Sequence, residues 1–149
     1  MKWLLLVSVA LSLVACDSSA VSFGATPTPT CESGLPAFAQ QLDPLAREWD
    51  DANAVANSTP RSALATQISN LQSVRRRVQD LNTPACGAKM KGHLVSSMDA
   101  TIDGYIAFLG QKVDTEVNAK FEAAKTEMTA YKAAIFDLQA GPAITATPQ

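Results

Sequence analysis

The sequence predicts an all-α fold, an antiparallel bundle of three helices whose third member is long. Two patterns carry this expectation. Apolar residues between Cys31 and Leu138 recur at steps of three and four, the spacing that gathers them on one helical stripe. Ser/Thr-Pro pairs interrupt that recurrence twice, at Ser58-Thr59-Pro60 and at Thr83-Pro84, each reading as an N-cap followed by proline at the first helical position. Chain length sets the scale. Of 149 residues, about 110 remain once both ends are set aside, enough for one modest core.

In the first helix the stripe is Leu35, Phe38, Leu42, Leu45, Trp49, Ala52 and Ala56, with Pro36 placed in the opening turn. The helix should stop near Asn57. A second helix carries Leu64, Ile68, Leu71, Val74, Val78 and Leu81, and should end at Asn82-Thr83-Pro84. Beyond Pro84 the apolar phase runs from Leu94 through Tyr105, Leu109, Val113 and Val117 to Leu138 without a reset. Gly104 and Gly110 each weaken a helix by about 1 kcal/mol relative to Ala, yet neither is followed by a run of turn residues. The expectation is therefore one unbroken helix of about 50 residues, with Glu116 and Lys120 paired one turn apart. The alternative is a four-helix up-and-down bundle broken near Gly110, with Gly110-Gln111-Lys112 as its loop.

The ends have a different character. Met1-Lys2 precedes an uncharged apolar run from Trp3 to Ala15, thirteen residues long. That is short of the ~20 residues a membrane-spanning helix needs, and it has the form of an export signal. Leu13-Val14-Ala15-Cys16 resembles the lipobox of bacterial lipoproteins. The resemblance covers the signal alone. It implies removal of residues 1–15, attachment of diacylglycerol to the Cys16 sulfur, and membrane lipid as a partner through Cys16. Two or three acyl chains hold a protein far more firmly than one. The expected address is the cell membrane or outer membrane, facing the periplasm or exterior; Asp17 leaves the leaflet open.

Residues 16–30 then read as the lipidated Cys and a Thr/Pro stalk, including Thr26-Pro27-Thr28-Pro29-Thr30. Residues 31–140 form the helical domain, and 141–149 a disordered tail of similar composition.

With Cys16 assigned to lipid, Cys31 and Cys86 remain. An antiparallel pairing of the first two helices puts the start of one and the end of the other together, so Cys31 and Cys86 should be joined by a disulfide. No cofactor is expected. The only histidine, His93, reads as a solvent-side residue, and a closed zinc site needs four suitable ligands. No catalytic residues are assigned. Asp99 and Asp103 lie one turn apart, as acid–base chemistry can require, but read as solvating charges. Ser96, Ser97 and His93 share a segment without a fixed geometry. Asp50-Asp51 supplies too few oxygens for Ca²⁺. Arg75-Arg76-Arg77 is the densest basic run. Without Lys2 the balance is 11 Lys and Arg against 14 Asp and Glu, net −3, which argues against nucleic acid.

The expected function is therefore an anchored helical binding or assembly module, whose stalk and shaped surface are both visible; the alternatives are a small envelope hydrolase or a structural envelope component without a defined ligand. An unbroken third helix would reach about 80 Å, outrunning partners of roughly 35 Å. Its open stripe of Val117, Phe121, Met128, Tyr131, Ile135 and Leu138 would then be an interface for a second copy or an envelope protein.

Overall fold

Stripes spaced for helices must be buried against one another. The computed structural model describes residues 31–140 and forms four helices from them: α1 (Cys31–Ser58), α2 (Leu64–Asp80), α3 (Ala88–Leu109) and α4 (Asp114–Ala140). Short 3₁₀ turns, Arg61–Ala63 and Ala85–Gly87, lead into α2 and α3. The expected signal, Cys16, the stalk and the tail of 141–149 lie outside the described residues.

The three-helix expectation is overturned at Gly110. There the Gly110 N–H donates to the Ile106 carbonyl, the Gln111 N–H to that of Phe108 (3.2 Å) and the Lys112 N–H to that of Ala107 (3.0 Å). Gln111 takes φ 56°. This is a Schellman ending, in which a left-handed residue just past the helix lets two terminal carbonyls find donors. Val113 then accepts from Glu116 and Val117 to start α4, with Asp114 and Glu116 in the first turn, where carboxylates suit the helix dipole. The apolar phase runs straight through this turn, and Val113, counted in the stripe, is left 67% exposed.

The expected Glu116–Lys120 pair is replaced as well. Lys120 Nζ lies 3.6 Å from Asp103 on α3, and Glu116 is 3.9 Å from Lys112.

The prolines act differently from the expectation too. Pro60 and Pro84 themselves precede the 3₁₀ turns, and their carbonyls accept from Ala63 and Gly87 at 2.9 Å each. The hydroxyls before them face backwards. Ser58 and Thr59 donate to the Val55 carbonyl at 3.0 and 2.6 Å, and Thr83 to Leu81 at 3.0 Å. These pairs close the preceding helix instead of capping the next one. Lys91 reinforces the end of α2, donating from Nζ to the carbonyls of Gln79 (2.9 Å) and Leu81 (2.8 Å). α1 begins earlier than Pro36 and also runs through Pro44. Gln40, whose carbonyl loses its N–H partner there, is exposed to water.

Consecutive helices pack as antiparallel neighbours, α1 on α2, α2 on α3 and, most closely, α3 on α4. The core is Phe38, Leu42 and Trp49 from α1, the whole expected stripe of α2 up to Val78, and Met90, Leu94, Met98, Ile102 and Tyr105 from α3. Small side chains let α3 and α4 approach. Ser97, Gly104 and Ala107 are buried on one helix and Ala124 on the other, and the Ser97 hydroxyl donates to the Ala124 carbonyl at 2.9 Å. Cys31 and Cys86 are bonded with Cα atoms 5.9 Å apart, tying the start of α1 to the turn that opens α3, as the antiparallel argument requires.

Candidate functional site

The chain closes three seams of the bundle and leaves the fourth ajar. α1 and α4 stand apart, and the space between them forms a groove with α3 as its floor. At the disulfide end a cavity of about 230 Å³ lies between Leu35, Phe38 and Leu42 of α1 and Tyr131, Ile135 and Leu138 of α4. Midway the groove widens to about 500 Å³ between Trp49 and Asn53 on one wall and Phe121, Ala124 and Met128 on the other. Phe121, Tyr105 and Asn57 continue it into a third space of about 230 Å³ against Phe108.

Each wall has a local cause. The α4 residues Phe121, Met128, Tyr131, Ile135 and Leu138 are half-buried and packed on the core, while Val117 is buried outright. The turn at Gly110 thus folds this stripe inward, and with it goes the overhanging half-helix that motivated an open interface. What the stripe keeps exposed is the groove wall. Tyr105 spans the floor, its hydroxyl donating to Asn53 Oδ1 at 2.9 Å, and its ring meets Phe121 edge-on with centroids 5.3 Å apart. Burial raises the Tyr105 phenol above its ordinary pKa of 10.0. Burial, and then the nearby Asp43 carboxylate, raise that of Tyr131 likewise.

The groups considered for chemistry are dispersed among separate partners. Asp99 is 2.6 Å from Arg75 on α2, whereas Asp103 turns to Lys120 on α4. His93 is not solvent-side: it is half-buried, with Nδ1 2.7 Å from Glu127 on α4. The Ser97 hydroxyl is committed to Ala124, and Ser96 lines an open depression beside the α2–α3 turn. Of the arginine run, Arg75 binds α3 through Asp99, Arg77 binds α1 through Glu48, and Arg76 stays exposed. Among the described residues no group of three or more His, Cys, Asp or Glu could hold a metal ion, and no helix is long and apolar enough to cross a membrane.

Charge along the groove is uneven. Asp43 lines its upper cavity and Asp50 its centre, and neither has an ion-pair partner among the described residues. Among the described residues that line it, the one cation is Lys125, 2.6 Å from Glu122. The groove is not legible in the sequence, because it depends on the α3–α4 turn and on small residues that no apolar count registers. Compared with protein-family models, curated proteins and solved structures, the chain matches none of them.

Proposed function

We propose that the protein is a lipid-anchored structural component of a cell envelope, a disulfide-stapled helical bundle held outside the cytoplasm through Cys16. The observation that carries the reading is the Cys31–Cys86 bond, since such bonds persist in oxidising compartments and suit a chain that opens with an export-type signal. The lipobox-like Leu13-Val14-Ala15-Cys16 supports the anchor, with acyl lipid as the partner and the cell membrane or outer membrane as the site. The net charge of −3 beyond the signal speaks against nucleic acid as a ligand. A hydrolase would need convergent polar groups, and Asp99, Asp103 and His93 are instead drawn to three different side chains, Arg75, Lys120 and Glu127.

A second reading, a binding or assembly module, is favoured by the α1–α4 groove. It shares the anchor and differs only in having a defined partner.

Intact-mass analysis of the protein extracted from membranes tests the anchor. The expected amino-terminal residue is Cys16 carrying diacylglycerol, and Cys16→Ser should leave the chain unprocessed or move it to the soluble fraction. An unmodified amino terminus on the mature wild type overturns the reading.

A further inference from the structure

We propose that the α1–α4 groove receives a basic amphipathic helix of another envelope protein. This rests on the binding-module reading and gives its partner a chemistry. In the groove, cavities are lined by α1 over 35–43 and again over 49–57, together spanning roughly 33 Å of helix. Its shape is that of a slot between antiparallel helices, the kind of surface that takes the apolar face of a third.

Floor and walls supply what such a face needs. Leu35, Phe121, Met128, Tyr131 and Ile135, all only partly buried, give aromatic and adaptable contacts distributed along the slot. Charge selects the sign of the partner. Asp43 and Asp50 sit among the lining residues with no ion pair among the described residues, Arg47 standing one turn from each on the same helix, while Lys125 across the slot is paired with Glu122. A helix with Lys or Arg flanking its apolar stripe would bring cations to both carboxylates; an acidic helix would meet them with like charge.

A second copy is a poor occupant. Its basic helix, α2, turns its apolar stripe fully inward, and two of its three consecutive arginines are engaged with Glu48 and Asp99. The large apolar side chains it exposes among the described residues, Val55, Ile106, Phe108, Val113 and Phe136, do not form a helical stripe.

The test titrates the membrane-extracted, isotope-labelled protein with a peptide of about 18 residues, roughly 27 Å long, built of Leu and Lys at helical spacing. Two other peptides accompany it: the same residues scrambled out of helical period, and a Leu/Glu counterpart. Saturable binding of the periodic Leu/Lys peptide is expected, with amide shifts confined to the facing sides of α1 and α4. Asp43→Lys with Asp50→Lys, both on exposed positions, should weaken it at least about tenfold, a change of about 1.4 kcal/mol. Equal binding of the scrambled peptide, unchanged affinity of the double variant, or shifts outside the groove overturns the inference. Tighter binding of the Leu/Glu peptide in the same groove also overturns it but leaves the module reading standing. Groove shifts that appear with protein concentration alone, without peptide, assign the slot to a second copy and overturn it too. A groove silent to every peptide removes both.

Discussion

At the scale of single residues, the two glycines within α3 have opposite roles. A Cβ placed on Gly104 would lie 2.8 to 3.1 Å from three carbons of the Phe121 ring, which is itself held edge-on by Tyr105. Gly92 has nothing within 4 Å of the same position. Gly92→Ala should therefore stabilise the protein by about 1 kcal/mol, the ordinary helix preference. Gly104→Ala should destabilise it by about 1 to 3 kcal/mol, because overpacking outweighs that preference. Urea denaturation of both variants checks the pair, and two changes of the same sign would contradict the close approach. Tyr105 offers a second residue-level measurement. Its pKa is raised in the folded protein, so ionisation favours the unfolded chain, and its contribution to stability is full below pH 10 and falls as pH rises beyond it. Tyr105→Phe loses the Asn53 hydrogen bond at neutral pH but should show a shallower alkaline decline than wild type in the same titration. An identical alkaline slope would mean that other groups govern it.

At the scale of elements, the decisive feature is the turn between α3 and α4. Its left-handed position is filled by Gln111, while the glycine that usually marks such an ending sits one residue earlier. A side chain in that conformation costs about 1 to 2 kcal/mol relative to glycine. Gln111→Gly should accordingly raise stability by several tenths to about 1 kcal/mol, and Gln111→Val should lower it. Thermal unfolding of the two variants decides, with a loss in Gln111→Gly counting against the turn. The same displacement explains what the sequence could and could not show. The stripes of α1 and α2 follow from spacing and proline punctuation, the pairing of Cys31 with Cys86 from the antiparallel helices once Cys16 is set aside, and the structure bears them out. The α3–α4 turn is legible only as the alternative loop Gly110-Gln111-Lys112, because Leu109, Val113 and Val117 keep helical phase across it, and hydrogen bonding at Ala107 and Phe108 decides for that break. Ser97, Gly104 and Ala124 are equally silent in an apolar count, though their small size allows the tight α3–α4 approach. The groove follows from both, and no periodicity could announce it. Asp99, Asp103 and Arg77 were visible as charges, but their partners lie on other helices and depend on the packing.

For the molecule as a whole, the covalent tie and the open seam lie on the same helix. α1 packs on α2 and reaches α3 through Tyr105, yet it stands away from α4. The Cys31–Cys86 bond compensates at the end where α1 begins, closing a separation of 55 residues. A loop of that length is worth about 4 kcal/mol in the chain-entropy account, because the unfolded chain loses freedom that the folded one never had. Cys31→Ser and Cys86→Ser should each cost about 2 to 4 kcal/mol, and the double variant little more than either, since one bond is removed in every case. Loosening should be concentrated at that end. Hydrogen exchange in the reduced protein should rise first in the opening turns of α1, around Leu35 and Phe38, and in the Ala85–Gly87 turn, while the α3–α4 pair held by Ser97 and Gly104 stays protected. Additive losses in the double variant would assign the two cysteines separate roles. Uniform exchange across all four helices would show that α1 is held by its packing alone, and that the groove beside it needs no staple to keep its shape.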